Sequence, residues 1–389
     1  METFGEPWPE LNDGLTYNDV VPSSNTASTT LVEFYSTKYN NSAPFEGWLQ
    51  RIRNGQITVD RQVVKNPDTI LREGSKLIYH RLPWRESDAP YLLEVLFEDD
   101  DLVALNKPSG LQVLPGGLFQ QRTVLTQLQW RASKKASSSL GLSQEPHPVP
   151  VHRLGRGTSG ILLCAKSKLA KARLAAYFAD GTSVIGNKRV TNMELGIKRR
   201  ITKIYRALAS GIIDKDEVVI TQPIGLMRYP GVANGLYVAS SLGKPALTKV
   251  DVLERDVLGN CTLVEVEIQS GRPHQIRIHL SFIGHPLIGD PLYDAGGHPK
   301  CFKSELGDGS FAEDGGYQRP MNPVPGDCGY YLHAYRLVLH QPTTGKVIEI
   351  TAALPSILQT QDELNQKEHT TQPRTVDTAV AVSEKKQQM

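Results

Sequence analysis

The stretch VHRLGRGTSGILL, from Val151 to Leu163, decides how the rest of the sequence is interpreted. It contains a literal G-x-G-x-x-G, which is the spacing of a dinucleotide-binding turn. Such a turn needs a helix that starts at its last glycine, because the helix N-terminus holds the pyrophosphate. Here Gly160 is followed by ILLCA, an apolar run that favours a strand. No Lys-Ser or Lys-Thr pair follows either, so the pattern indicates neither a dinucleotide turn nor a P-loop.

The composition is that of a globular protein of one or two domains. The chain has 389 residues, of which 39% are hydrophobic and 22% charged, and no run of eighteen apolar residues, so we expect no membrane span. Its first residues, METFGEPWPELNDG, resemble neither a secretory signal nor a transit peptide. Four cysteines favour a reducing intracellular compartment. We expect the cytoplasm or the nucleus, and an organelle remains open.

Positive charge is concentrated in the middle of the chain. Residues 152–206 contain thirteen Lys and Arg but only two acids, Asp180 and Glu194, a balance of +11 in a chain of net charge +2. A block of this kind is typical of a protein that binds a phosphate-rich partner. The alternative is a solvated helix face followed by a basic loop.

Sequence patterns divide the chain into four parts. Residues 1–40 are acidic and rich in Ser, Thr and Asn, and predict a loosely ordered leader. Residues 44–85 form a small unit, residues 91–355 form the main domain, and residues 356–389 predict a disordered tail.

The small unit combines a helix with short strands. FEGWLQRIRNGQ predicts an amphipathic helix, ITVDRQVV predicts strands that turn at Asp60-Arg61, and LREGSKLIYH predicts another strand. Its charge is mostly basic, and this arrangement resembles the S4 RNA-binding domain. The alternative is a β-rich cap that packs on the main domain. The resemblance implies RNA contacts from four basic residues, Arg51, Arg53, Arg61 and Lys65.

The main domain mixes strands and helices without regular βαβ alternation. YLLEVLFEDD and DLVALNKPSG predict a hairpin, and LHAYRLVLHQPTTGKVIEI predicts another near the end. TVLTQLQWRASKK, SKLAKARLAAYFAD (closed by Gly181) and RPHQIRIHLSFIG predict helices. The fold class is therefore α+β, with a mixed but mostly antiparallel sheet flanked by helices.

Five stretches, in order, resemble the motifs of the RluA-type pseudouridine synthases. HRLGRGTSGILL is similar to H-R-L-D-x-x-T-S-G-L-L, and GRPHQIRIHLSFIGHPLIGDPLY matches its counterpart almost throughout. LNKPSGLQVLPGG, KIYRALASG and LHAYRLVLHQPTTGK resemble the remaining three, with Gln341 where His is usual. The resemblance covers nearly all of residues 91–355. The acidic leader and the insertions at 183–198 and 295–329 resemble those of plant members.

The resemblance implies an enzyme that isomerises uridine to pseudouridine in RNA without a cofactor. The C1′–N1 bond breaks, the uracil rotates, and C5 joins C1′. The target base must leave its stack, a carboxylate must act as nucleophile or base, and the cleft must hold the detached base. We expect rRNA, tRNA or mRNA as the partner, no membrane, no nucleotide cofactor and a monomer.

Residue by residue, the resemblance assigns three roles. Arg153 matches the arginine that helps displace the base, Tyr205 the tyrosine that packs on the target ring, and Arg277 the arginine that pairs with the catalytic aspartate. Further RNA contacts are expected from six other residues: Lys107, His152, Arg156, Arg272, His274 and Gln275. The alternatives are a core tyrosine and arginines that only contact phosphate or form ion pairs.

One position departs from the family pattern, because Gly155 stands where the catalytic aspartate is expected. Loss of a general base costs about 10² to 10⁴ in rate, and we expect the missing carboxylate to leave Arg277 without its partner. Three explanations compete. The protein is an inactive RNA-binding relative, or another carboxylate reaches in, with Asp290 nearest by motif although its role looks structural, or the sequence differs from an active form at this one residue.

A metal site is not expected. Cys301, Cys328 and His298 lie around the 295–329 insertion, but no C-x-x-C pair is present, and a loop is the better interpretation.

Overall fold

The computed structural model describes ten stretches of the chain: residues 2–23, 29–40, 42–138, 147–186, 200–229, 232–300, 311–313, 316, 318–320 and 327–371. The described strands are β1 Thr3–Phe4, β2 Leu15–Val20, β3 Ile57–Val59, β4 Gln62–Val63, β5 Lys76–Arg81, β6 Leu93–Glu98, β7 Leu102–Lys107, β8 Val149–Pro150, β9 Ser159–Ala165, β10 Ile201–Ser210, β11 Glu217–Ile220, β12 Ile224–Tyr229, β13 Val232–Ala239, β14 Thr248–Asp256, β15 Cys261–Ile268, β16 Tyr293–Asp294, β17 His298–Pro299, β18 Phe311–Glu313, β19 Gln318–Pro320, β20 Leu332–His340 and β21 Val347–Thr351. The helices are α1 Leu31–Lys38, α2 Phe45–Arg53, α3 Val124–Ser138, α4 Lys168–Gly186, α5 Gln275–Phe282 and α6 Gln361–Thr371, with a 3-10 helix at Ser356–Leu358.

An eleven-stranded sheet organises the main domain. Its order is β1-β6-β7-β9-β20-β10-β15-β14-β11, with β21 also paired to β20 and β8 to β9. β9 and β20 pair in parallel, whereas the other described ladders of this sheet are antiparallel. The predicted α+β class with a mixed, mostly antiparallel sheet is confirmed. The sheet's buried apolar side chains form the main core with one side of α3, α4 and α5.

Gly160 lies at the start of β9, one residue after Ser159, and not at the start of a helix, as the sequence predicts. Its φ of +102° lies in a region that L side chains rarely adopt, and a Cβ there would lie 2.3 Å from the carbonyl oxygen of Ala334. This glycine therefore permits the parallel contact between β9 and β20 that holds the VHRLGRGTSGILL loop at the edge of the core.

The small unit of residues 44–85 joins β2 and α1 of the leader to form an N-terminal unit with a sheet and a core of its own. Its sheet runs in the order β2-β5-β3-β4, and α1 and α2 pack on it around Trp48, Ile52 and Leu77. The predicted turn at Asp60-Arg61 is present, since both residues have positive φ values of 48° and 72°. The arrangement therefore contains the predicted helix and strands, while its likeness to an S4 domain stays a prediction.

The leader is more ordered than its composition suggests. β2 pairs with β5, β1 pairs with β6 of the main sheet, and α1 begins at a capping box formed by Thr30 and Glu33. The expectation of a loosely ordered leader is therefore wrong for the described part of residues 1–40. The leader is ordered by backbone pairing with strands that are distant in the sequence, and such pairing cannot be predicted from amino-acid composition.

Two element ends also differ from the sequence prediction. α4 continues through Gly181 to Gly186, because one glycine costs a helix only about 1 kcal/mol. The predicted disordered tail begins with a 3-10 helix and α6, in which Glu363 pairs with Arg206. Residues 372–389 lie outside the described part, as do most of the two plant-like insertions.

Candidate active site

One cleft contains most of the residues that the sequence points to. Its volume is about 690 Å³, and it lies between the loop 152–158, β10, the start of α5 and the segment 327–332. Arg153, Gly155, Tyr205 and Arg277, the four predicted catalytic positions, all line it. Residues distant in the sequence, such as Thr158 and Tyr330, which are 172 positions apart, therefore meet here, because β9, β20 and β10 are neighbours in the sheet.

The cleft is strongly basic. Its described lining includes Arg153, Arg156, Lys203, Arg272 and Arg277, but Asp327 is the one carboxylate among those described residues. Burial lowers the pKa of Lys203 to about 8, so the lysine stays mainly charged at neutral pH. Clefts lined by one sign of charge attract ligands of the opposite sign, which fits the phosphates of a nucleic acid.

Tyr205 supplies an aromatic surface inside the cleft. It lies on β10, where it pairs with Val266 of β15 and Ala334 of β20, and it is 8% exposed. Burial raises the pKa of its hydroxyl, so the ring stays neutral. An aromatic ring fixed on a central strand can stack on an unpaired base, because every base has a π face.

Arg277 lies at the base of the cleft and is held by two carboxylates. Its Nε donates to Asp290 Oδ2 at 2.7 Å, its Nη2 donates to Asp290 Oδ1 at 2.8 Å, and its Nη1 donates to Asp327. Its guanidinium carbon also lies 4.2 Å from the ring centroid of Tyr330. The expectation that Gly155 leaves Arg277 without a partner is therefore wrong.

Asp290 has a structural role. Its side chain is fully buried, and besides Arg277 it accepts hydrogen bonds from the backbone N–H groups of Leu292 and Tyr293 at 2.8 and 3.1 Å. Burial alone would raise the pKa of Asp290, but the guanidinium and the two N–H groups hold it below its ordinary value. Asp290 fixes the turn after α5 and is absent from the described lining of the cleft.

Tyr330 occupies the space beside Gly155. A Cβ at Gly155 would lie 2.8 Å from the Tyr330 hydroxyl and 3.4 Å from Thr158 Oγ1. The Tyr330 and Thr158 hydroxyls lie 3.2 Å apart and share a hydrogen bond. A side chain at position 155 therefore requires the tyrosine to move.

Three residues expected to contact RNA have other roles. Lys107 is fully buried, and its Nζ donates to the carbonyl oxygens of Pro108, Leu111 and Arg156 at 2.8, 2.8 and 3.1 Å. It therefore ties the LNKPSG segment to the loop that carries Gly155. A charged residue has this role only where carbonyls converge, which its sequence context does not reveal.

Gln275 and Arg51 are the other two residues whose expected RNA contact is replaced by a structural role. Gln275 lines the inner end of the cleft, but its side chain is saturated, since it accepts from Ser270 Oγ and Arg272 N and donates to Leu247 O and Thr248 Oγ1. Arg51 is 1% exposed, because it lies on the buried side of α2.

The remaining predicted RNA contacts are placed where RNA can reach them. Arg53, Arg61 and Lys65 are exposed on the N-terminal unit, and Arg153 is exposed at the cleft. Four further residues, His152, Arg156, Arg272 and His274, are half-buried in the cleft lining.

The two histidines of the lining are neutral. Burial lowers the pKa of His152 to about 3 and that of His274 to about 4. His152 Nε2 accepts from Leu163 N at 2.9 Å, so the histidine of the HRLG motif holds the loop against β9. His274 has a left-handed φ of 56° at the start of α5, and its Nδ1 lies 2.9 Å from the Tyr293 hydroxyl.

Asp327, Tyr330 and Lys203 were not singled out from the sequence as site residues. Lys203 begins the KIYRALASG motif, so its cleft position could have been expected from Tyr205 two residues later on the same strand face. Asp327 lies near the end of the Gly/Pro-rich insertion 295–329, where no periodicity predicts which way a side chain points. Among the residues that the structure describes, no group of three or more His, Cys, Asp or Glu could hold a metal, and Cys301 lies outside them. No helix in that part of the chain is long and apolar enough to cross a membrane.

Known proteins resemble this chain over most of its length. Residues 101–282 match the family described as RNA pseudouridylate synthase. The chain is 66% identical over 365 residues to RNA pseudouridine synthase 5 of Arabidopsis thaliana, covering 93% of this chain and 98% of the relative. It is 33% identical over 264 residues to ribosomal large subunit pseudouridine synthase D of Haemophilus ducreyi, covering 68% of each. A solved structure, human RNA Pseudouridylate Synthase Domain Containing 1, is similar with a TM-score of 0.45 and 24% identity, over 72% of this chain and 95% of that one.

The chain belongs to the RluA-type family of RNA pseudouridine synthases. Its class of activity is the isomerisation of uridine to pseudouridine in RNA.

Proposed function

We propose that this chain binds a structured RNA, takes one uridine out of its stack into the cleft, and isomerises it there. The observation that carries the proposal is that one cleft is lined by an aromatic ring, Tyr205, and by the basic side chains of Arg153 and Arg277. Tyr205 receives the face of the flipped base, and the basic rim neutralises the phosphates on either side of it.

The reaction also fits a single chain without a cofactor. An isomerisation moves no electrons to or from the substrate, so acid–base and nucleophilic groups suffice for it. Arg153, Tyr205 and Arg277 meet in one cleft within a single chain, so the residues that the reaction uses do not depend on a second copy. We therefore propose a monomer that needs no cofactor.

Tritium release tests the proposed reaction, because C5 loses its hydrogen when it joins C1′. The substrate is total RNA from cells that lack this protein and were fed uridine tritiated at C5. We expect the protein to release tritium and Tyr205→Leu to release it about 5 to 150 times more slowly, as expected from the 1–3 kcal/mol of one base–aromatic stack. The matched control is Tyr331→Leu, since Tyr331 is 41% exposed and is not among the described lining residues. Absence of release by the unaltered protein would refute the proposal and favour an inactive RNA-binding relative.

The N-terminal unit extends the same RNA surface in this proposal. Its exposed residues Arg53, Arg61 and Lys65 lie on α2, on the turn after β3 and just beyond β4. Asn54 Nδ2 donates to the carbonyl oxygen of Gly316 at 3.1 Å, so the unit also contacts the main domain. Both the S4-like alternative and the cap alternative are compatible with that contact, and RNA affinity distinguishes them.

A further inference from the structure

The proposed reaction needs a carboxylate as nucleophile or base, and position 155 does not provide one. Gly155 has no side chain, and the Tyr330 hydroxyl lies 2.8 Å from the point where one would begin. If the proposed function holds, the carboxylate must therefore come from another residue of the cleft.

Asp290 is not available for this chemistry. Both of its oxygens are used by Arg277, Leu292 N and Tyr293 N, and its side chain is fully buried. To reach a ribose it would have to give up both hydrogen bonds from Arg277 and those from the two backbone N–H groups.

Asp327 is placed in the cleft and is accessible. Its side chain is 36% exposed, it lines the cleft with Gly155 and Tyr205, and it accepts a hydrogen bond from Arg277 Nη1. Arg277 is in turn fixed by two bonds to Asp290. One Asp327 oxygen is thus held by a rigid, charged donor, and the carboxylate has further lone pairs for a substrate.

The backbone of Asp327 is joined to the loop that carries Gly155. Gly157 N donates to Asp327 O at 3.1 Å. A Cβ at Gly157 would lie 2.6 Å from that same oxygen and 2.9 Å from Cys328 Cα, so only glycine permits this approach. The glycines at 155 and 157 therefore face Tyr330 and Asp327, respectively, at the C-terminal end of the insertion.

We infer that Asp327 supplies the carboxylate of the reaction in place of the side chain missing at position 155. The C1′–N1 bond breaks with its electron pair passing to the uracil, and an Asp327 oxygen bonds to C1′. After the base rotates, C5 forms its bond to C1′ and the carboxylate leaves with the electron pair of the C1′–O bond. The C5 proton passes to water and N1 takes up a proton, so the atoms and electrons balance.

Asp327→Asn tests the inference. Asn keeps the size of the side chain and leaves Arg277 paired with Asp290, so the fold and the cleft should persist. With the tritiated RNA described above and the protein in saturating excess, we expect the single-turnover rate to fall by about 10² or more, with RNA affinity within about threefold of the parent. Asp214→Asn, in an exposed loop, is the matched control and should match the parent.

Each result decides between the proposals. A smaller fall in the saturating rate, or a loss that appears only as weaker RNA binding, overturns the role of Asp327 while the proposed reaction stands. Absence of release by the parent protein overturns the proposed function instead, and Asp327 then has no reaction to serve.

Discussion

The N-terminal unit and the cleft each bury an arginine, and they stabilise it in different ways. In the N-terminal unit, the guanidinium of Arg51 lies 4.7 Å from the ring of Trp48 and 5.1 Å from that of Tyr79, and it donates to Ser42. In the cleft, Arg277 is bound by two carboxylates. Rings tolerate the loss of a cation, whereas a buried carboxylate does not, so the first arginine serves packing and the second holds a charged site together.

Replacement of each arginine by methionine should give the largest effects. Arg277→Met leaves Asp290 buried without its cation and should lower the free energy of unfolding by about 3–5 kcal/mol. Arg51→Met removes two cation–π contacts but keeps an apolar stem on the rings, and should cost about 1–2 kcal/mol. Urea unfolding followed by tryptophan fluorescence measures both, and equal costs would show that the comparison is wrong.

The sequence predicted much of the fold because the local patterns agree with the global ones. The β6–β7 and β20–β21 hairpins and the helices α2, α3 and α5 follow alternation or helical periodicity. Pairing of β1 and β2 with distant strands could not be predicted, since the sequence of neither strand indicates which strand it pairs with. The ordered leader was missed for this reason.

The site was predictable only where motif residues supply the side chains. Tyr205, Arg153 and Arg277 meet in the cleft as the resemblance implies, whereas Lys107 and Gln275 proved to be structural. Charge in a sequence indicates a need for partners but not whether these are phosphates or buried carbonyls. Asp327 reaches the cleft through the tertiary approach of its segment to Gly157, a contact between residues 170 positions apart that no spacing rule describes.

Acid should destabilise the main domain through its buried His279. His279 is fully buried on α5 between Thr248 Oγ1 and Gln222 O, both at 2.8 Å, and burial lowers its pKa to about 4. Its unfolded form titrates near 6.5, so its contribution to stability is complete above pH 6.5 and is lost as the pH falls from 6.5 to 4. The loss is up to about 3 kcal/mol.

Urea unfolding at pH 7.5 and pH 4.5 measures this loss, and His279→Gln provides the comparison. The variant should be less stable at pH 7.5 but should lose less stability on acidification than the parent. His80 of the N-terminal unit is exposed, so His80→Gln is the matched control and should leave the pH dependence as it is in the parent. If His279→Gln loses as much stability between pH 7.5 and pH 4.5 as the parent does, other groups cause the acid sensitivity.

The smallest effect should come from the surface of the N-terminal unit. Replacement of Arg53, Arg61 and Lys65 together by glutamine removes three exposed charges, and we expect RNA affinity to fall by about tenfold or less. If these residues contact phosphates, the slope of log affinity against log salt should become shallower by about 2 to 3, since each contact contributes about 0.7–0.9. The saturating rate of tritium release should not change, because none of the three lines the cleft. Lys215→Gln, which removes one exposed charge elsewhere on the main domain, sets the baseline for non-specific attraction. An unchanged salt slope in the triple variant would assign the unit to the cap alternative and leave the cleft as the RNA-binding surface.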